Sequence, residues 1–242
     1  MLIRRLLHAL SAGQPVSGAV LAQEAGMTRA AIWKHVAALR KQGLPISAQA
    51  GKGYCLPWPI QLLEPDAIRN SLATKIQSKV EVCWEVDSTQ SALYRQHHQL
   101  PDLSFLISET QGAGRGRRGS VWQSPPGRNL YLSCLKRFDQ GLSQLAGLPK
   151  QVGGWVIAAL NRANTLPGAR FENNDIRVGT QKVGGILIDL MGEYDGPVTA
   201  IIGIGLTPLA HEGFPDRNQL AVLLIDALYC GLAQLDSTFT QE

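Results

Sequence analysis

Between Glu109 and Trp122 the chain reads ETQGAGRGRRGSVW, with Arg115, Arg117 and Arg118 set among Gly112, Gly114, Gly116 and Gly119. Guanidinium groups offer planar, fork-shaped donors to carboxylate and phosphate. Glycines let backbone N–H groups converge on a small anion. The chemistry these residues could do is therefore anion binding. The loop is not a common P-loop, because GxxxxGK[ST] is missing. Its GxGxxG (Gly114, Gly116, Gly119) leads to Trp122 and a Ser-Pro-Pro-Gly turn rather than to a helix, which makes it a poor dinucleotide fingerprint. An arginine-glycine surface loop for nucleic acid is the competing reading. A second stretch, RFENND from Arg170 to Asp175, brings acid and amide groups instead. Cys55, Cys83, Cys134 and Cys230 are widely spaced, with no CxxC or Cys/His ligand pattern. That predicts no metal site, reduced thiols and a cytoplasmic location.

Positioning such a loop requires a sizeable core, and 242 residues with 45% hydrophobic and 17% charged composition can supply one. There is no uninterrupted apolar run of membrane-spanning length, about 18 residues, so no membrane partner is expected. The amphipathic start MLIRRLLHALSAG reads as a first helix rather than a signal peptide. Charge is unevenly distributed. Residues 1–60 hold seven basic residues and one acid, net +6, whereas the remainder holds 16 basic and 18 acidic residues, net −2. Such segregation points to a small polyanion-binding module on a near-neutral larger domain.

The first sixty residues supply a pattern for that module. Leu2 to Ala12 is amphipathic, Ser17 can cap a helix that stops at Gly26, and Thr28 can cap a third helix carrying Ile32, Val36 and Leu39 at helical spacing. Leu44 to Ala48 and Tyr54 to Leu56 read as short strands around Gly51-Lys52-Gly53. This order is that of a winged helix-turn-helix, whose third helix enters a major groove. Thr28, Arg29 and Trp33 are base-reading candidates, and Lys34, Arg40 and Lys52 are phosphate candidates. We place this domain at 1–60 and a larger one at 61–242. In the larger one, strands are predicted at Val80 to Val86, Ser104 to Glu109, Asn129 to Leu135, Gly184 to Leu190 and Val198 to Ile204. Helices are predicted at Gln151 to Ala163 and Asn218 to Leu235. The whole chain reads as α+β, with a mixed α/β second domain.

The order of motifs is more specific than any one of them. GKGY-L-P-PIQLL at 51–63, VDST at 86–89, ETQ-AGRGRRG–W at 109–122, SP-G-NLYLS at 124–133, Asn174-Asp175 with K-GGIL at 182–187, and IIGIG at 201–205 run collinearly, as does GMTRAAIWKH at 26–35. In this the chain resembles the bacterial biotin repressor and biotin–protein ligase family over almost its whole length. The resemblance implies a class II synthetase-like domain that makes biotinyl-5′-AMP from biotin and MgATP and passes biotin to a lysine of a biotin carboxyl carrier protein. It also implies operator DNA and a second copy of the chain, in a homodimer, as partners. Carried over by motif, Ser88, Thr89, Gln111, Gly114 and Arg115 would bind biotin. Gly116, Gly119 and Trp122 would form the adenylate loop, and Arg117, Arg118, Lys182 and Asp175 would be catalytic.

The chain also departs from that family. Phe171-Glu172-Asn173-Asn174-Asp175 stands where the resemblance leads one to expect Lys-Trp-Pro-Asn-Asp. Thr207 stands where an asparagine would hold adenine, Gln90 follows the Asp-Ser-Thr motif in place of asparagine, and a small C-terminal β-barrel is expected to be absent. Losing one preorganised donor typically costs about 10²–10³-fold in rate. The resulting expectation is a biotin-responsive repressor that binds biotin or biotinyl-5′-AMP and DNA, with impaired ligase activity. The alternative is an active bifunctional biotin–[acetyl-CoA-carboxylase] ligase that has shifted its charge donor to Lys182 or Arg170.

Overall fold

The computed structural model describes residues 2–207 and 216–239. Helices α1 (Leu2–Leu10), α2 (Gly18–Ala25) and α3 (Arg29–Lys41) precede a hairpin of β1 (Ser47–Gln49) and β2 (Gly53–Cys55). The caps are local chemistry. Ser17 and Thr28 each accept a bond from the backbone N–H three residues on, at 3.2 Å, and Gly26 ends α2 in the left-handed region. Ile32, Val36 and Leu39 of α3 turn inward onto Leu6, Leu10 and Leu21. Each is worth about 1.5–3 kcal/mol of transfer free energy when fully buried. The hairpin strands lie slightly later and earlier, respectively, than the predicted runs. Leu44 and Ile46 are buried instead as part of the module's core, and β2 pairs with Val16 through two 2.8 Å bonds to Tyr54.

The second unit begins with the short helices α4 (Pro65–Ser71) and α5 (Thr74–Gln77). Next come β3 (Val80–Val86), α6 (Thr89–Gln96), β4 (Ser104–Gln111), β5 (Leu130–Phe138) and α7 (Leu148–Arg162). The unit finishes with β6 (Ala169–Glu172), β7 (Asp175–Val178), β8 (Gln181–Gly192), β9 (Val198–Leu206) and α8 (Arg217–Phe239). One seven-stranded sheet has the order β3-β4-β5-β9-β8-β7-β6, and only β3 and β4 are parallel. All five predicted strands are present. The pair β6 and β7 was not among them, because two four-residue strands give little periodicity. Asn173 and Asn174, both at positive φ, form its two-residue turn.

The sheet's two faces are unequal. Ile202, Ile204 and Leu206 of β9 and Leu130, Leu132 and Cys134 of β5 face α7 and α8 in the main core. The opposite face meets α6 at one end only, where Ala92 and Leu93 cover Leu106, Leu135 and Ile201. Arg217–Leu235 has the length and hydropathy of a membrane span, but its Leu220, Ala221, Leu224, Ile225, Leu228 and Leu232 are buried in this core.

A buried ion pair anchors the segment that follows the first unit to the second unit's sheet. Arg217 and Glu109, exposed 1% and 2%, meet at 2.8 Å. Glu109 also accepts from the Leu63 and Gly127 backbone N–H groups at 2.7 and 2.6 Å. Arg217 donates to the Asn129 carbonyl and to the Gln61 carbonyl. The segment leaving the winged helix is thus fastened to the strand that leads into the arginine loop. Gly43 and Ile60 of the first unit also lie against Pro125 and Gly127 of the second.

Candidate functional site

Side chains alternate between faces along a strand, and here the alternation empties one face. Gly203 and Gly205 of β9 lie on the face opposite Ile202, Ile204 and Leu206, and Gly185 of β8 pairs directly with Gly205. The space left by these glycines is a cavity of about 430 Å³, bounded by α6, the arginine loop and the β6–β7 turn. Trp122 rests on this bare patch. A Cβ at Gly205 would lie 2.7 Å from its indole, and one at Gly185 would lie 3.6 Å away. The indole Nε1 is buried without a hydrogen-bond partner.

The floor is polar but uncharged. Ser88 caps α6, accepting from the Ser91 N–H at 3.3 Å. Gln111, at the end of β4, accepts from the Thr89 N–H at 2.9 Å and donates to the Ser124 hydroxyl at 2.9 Å. Ser133 and Thr89 hydroxyls meet at 2.8 Å. Asp87 fixes the start of α6 through a two-bond pair with Arg95 at 2.6 and 2.8 Å. Those bonds hold its carboxyl down at about 2. Its carbonyl accepts from the Ala113 N–H at 2.7 Å, which starts the arginine loop beside the floor.

The rim is cationic. Arg115, Arg117, Arg118 and Lys182 line it, with Asp175 as the one carboxylate among the lining residues. Lys182 meets Asp175 at 2.8 Å, Arg177 meets it at 3.6 Å and Arg117 at 3.9 Å. Arg115 pairs with Asp189 of β8 at 3.3 Å. The Lys182 ammonium also lies 5.7 Å from the Trp122 ring centroid. The loop folds back on itself, with Gly116 N–H bonded to the Ser120 carbonyl and Trp122 N–H to the Gly114 carbonyl, each at 2.8 Å.

Of the residues predicted for this site, Ser88, Thr89, Gln111, Arg115, Gly116, Arg117, Arg118, Trp122, Asp175 and Lys182 line the cavity, whereas Gly114 and Gly119 do not. At Gly114 a Cβ would strike the Trp122 carbonyl, so the loop's own backbone requires a glycine there. Gly119 serves the turn, with φ at +75°. Phe171 also lies outside the lining residues. Its ring packs on Gly153 of α7 and on the main core. At this position the structure therefore turns an aromatic ring to the core rather than to the rim. Arg170 donates to the Gly179 carbonyl at 2.7 Å, away from the cavity, and leaves Lys182 as the rim's lysine. Thr207 extends the ladder to Val183 and does not line the cavity; residues 208–215 lie outside the described residues. Ser133, Asn173, Asn174, Gly185, Gly203 and Gly205 were not singled out. The alternating glycines of IIGIGL, and the glycine pair of GGIL beside them, carried the signal.

In the first unit, Arg29, Trp33 and Lys52 share a groove with Gln49 and Tyr54 between α3 and the hairpin. Trp33 is 63% exposed. Thr28 and Lys34 are outside this groove, Thr28 capping α3 with its hydroxyl. Arg40 donates its Nε–H to the Ile46 carbonyl at 2.6 Å, so part of its guanidinium braces the hairpin.

Comparison with known proteins agrees with both units. Residues 3–55 match a helix-turn-helix domain model, and residues 83–206 match the model of the biotin/lipoate A/B protein ligase family. The chain is 38% identical to the bifunctional ligase/repressor BirA of Salmonella typhimurium and 35% identical to that of Escherichia coli. Each match covers 94% of this chain and 75% of the relative. Among solved structures, the fold is similar to a biotin protein ligase from Leishmania major in complex with biotinyl-5-AMP, with TM-score 0.52, 24% identity and coverage of 66% of this chain and 75% of the other. It is similar to one from Aquifex aeolicus in complex with biotin and ATP, with TM-score 0.52, 24% identity and coverage of 66% and 72%.

Proposed function

We propose that this chain, which belongs to the biotin protein ligase family and to its bifunctional ligase/repressor BirA branch, binds biotin, activates it with ATP and regulates transcription through its winged helix. The observation that carries the reading is a neutral hydrogen-bonding floor and a cationic rim within one cavity. The floor, from Ser88, Thr89 and Gln111, suits the fused urea ring of biotin, and Arg115 and Gly116 flank it. The rim suits two anions brought together. A biotin carboxylate oxygen attacks the α-phosphorus of ATP, and the bond to pyrophosphate breaks. The amine of a carrier lysine then attacks the acyl carbon and AMP leaves. Lys182, Arg117 and Arg118 offset the negative charge gathered in the first step. Magnesium enters with MgATP, and Asp175 is the carboxylate able to face it.

Because position 171 lies away from the cavity, adenylation chemistry is retained in this reading. Arg29, Trp33, Lys34 and Lys52 meet operator DNA, with Trp33 and Arg29 nearest the bases. Thr28 and Arg40 act there mainly by holding α3 and the hairpin. The reading places the chain in the cytoplasm, as a homodimer when bound to DNA. The test is incubation with biotin, MgATP and an apo biotin carrier domain, followed by intact mass measurement. A biotin-sized gain on the carrier is expected. No gain, with a known ligase working in parallel, would reduce the reading to a biotin-sensing repressor. Operator binding that ignores both biotin and its adenylate would sink the repressor part.

A further inference from the structure

One further cation stands behind the rim. Arg177 is not among the residues lining the cavity, yet the strand pairing sets it beside two that are. β7 and β8 do not pair regularly: Ile176 faces Gly184 but Arg177 faces Lys182, so Val183 is an extra residue on β8. Val183 turns into the main core, 1% exposed. A regular ladder would pair Arg177 with Val183 and turn Lys182 toward that core. The bulge therefore aims Lys182 at the cavity and sets two cations directly opposite each other. Like charges across a strand pair repel. Asp175, two residues before Arg177 on the same face, offsets them. Its Oδ1 meets Lys182 at 2.8 Å and its Oδ2 meets Arg177 at 3.6 Å.

The cations around Asp175 are held differently. Arg177 donates from its other terminal nitrogen to the Thr180 carbonyl at 2.9 Å, which fixes the guanidinium to the β7–β8 turn. Lys182 is half exposed and, among the described residues, is held by Asp175 and by the Trp122 ring 5.7 Å away. Arg117, 3.9 Å from the same Oδ1, belongs to the arginine loop and lines the cavity as Lys182 does. When a phosphate enters, Lys182 and Arg117 can turn to it, whereas Arg177 stays with its turn. The mostly buried Asp175 carboxylate would face the phosphate without a cation if Arg177 were absent. A carboxylate left in that state repels the phosphate and draws Lys182 back.

We infer that Arg177 is a positioning residue for adenylation: anchored to its turn, it keeps Asp175 compensated and so releases Lys182 from Asp175 to the phosphate of ATP. This rests on the reading that the cavity joins biotin to ATP. Arg177 acts through Asp175, so its contribution exists only while that carboxylate is present. A cation acting on the phosphate by its field alone contributes whether or not position 175 is charged.

The experiment is calorimetric titration of the biotin-saturated full chain with the α,β-methylene analogue of MgATP, which binds without reacting. Arg177→Gln keeps an N–H for the Thr180 carbonyl and loses the charge. It is expected to weaken analogue binding about fivefold and to leave biotin affinity unchanged. In an Asp175→Asn chain, whatever its own affinity, adding Arg177→Gln should change analogue binding by less than about twofold. Arg177→Thr, a residue suited to a strand, should give the same pair of results and serves if Arg177→Gln does not fold. A merely structural role would weaken biotin binding as well. That result, an equal loss with and without Asp175, or native-like analogue binding in folded Arg177→Gln overturns the inference. A native chain that binds biotin but not the analogue overturns the adenylation reading, and the inference falls with it.

Discussion

The cavity rim and the winged helix both gather cations, but they hold them in opposite ways. At the rim, Arg115, Arg117 and Lys182 already face carboxylates of Asp189 and Asp175. On the winged helix, Arg29, Lys34, Arg40 and Lys52 form no ion pair among the described residues. A paired cation has a fixed position and can change partners when a small anion arrives. An unpaired one contributes to a field reaching about a Debye length, roughly 8 Å at physiological salt, and gains by releasing counterions from a polyanion. The same residue types are therefore set for geometric recognition in one region and for electrostatic recognition in the other.

Breaking the ion pair that anchors the segment after the winged helix should have the largest effect. Arg217→Met leaves Glu109 buried without its cation and is expected to cost about 3–5 kcal/mol. Chemical denaturation would measure it, and DNA binding and ligand binding should fall together. Lys182→Met should separate the regions. Adenylate formation, followed by pyrophosphate release, is expected to drop about 10²–10³-fold, with DNA affinity of the ligand-free chain unchanged. Lys52→Ala should do the reverse, lowering the slope of log K against log salt by about 1 and leaving biotin affinity as it was. If biotin affinity proved as salt-dependent as DNA affinity, the distinction between paired and unpaired cations would fail.

The smallest effect concerns Asp87. Its carboxyl is depressed from 3.8 to about 2 by Arg95, so the pair stabilises the fold above the unfolded value and loses that contribution as pH falls toward about 2. Arg95→Met should therefore lower the melting temperature slightly at pH 7. The difference from the native chain should shrink below pH 4. The two side chains are half exposed, and solvent screening keeps the effect small.

Much of the fold was legible because it is local or periodic. Ser17, Gly26 and Thr28 announced helix ends through chemistry that acts within three residues. The apolar run from Val198 to Ile204 marked a strand. The pair β6–β7 was not legible, since four residues hold barely two periods. At the site, the arginine loop, Ser88, Thr89, Gln111, Asp175 and Lys182 were found from residue type and motif order. Gly114 and Gly119 were assigned to a ligand because a glycine in sequence does not say whose backbone approaches it.

By itself, then, the sequence determined a basic winged helix joined to a mixed α/β domain with an anion-binding loop, because charge, capping and periodicity are written along the chain. Only the tertiary structure decided which way position 171 faces and which carboxylates hold the rim cations. It also decided that Gln90, from α6, reaches β5, β8 and β9 beneath the floor. Those contacts join residues from 43 to 111 positions apart, and no local propensity encodes a partner at that distance; the sheet's register does.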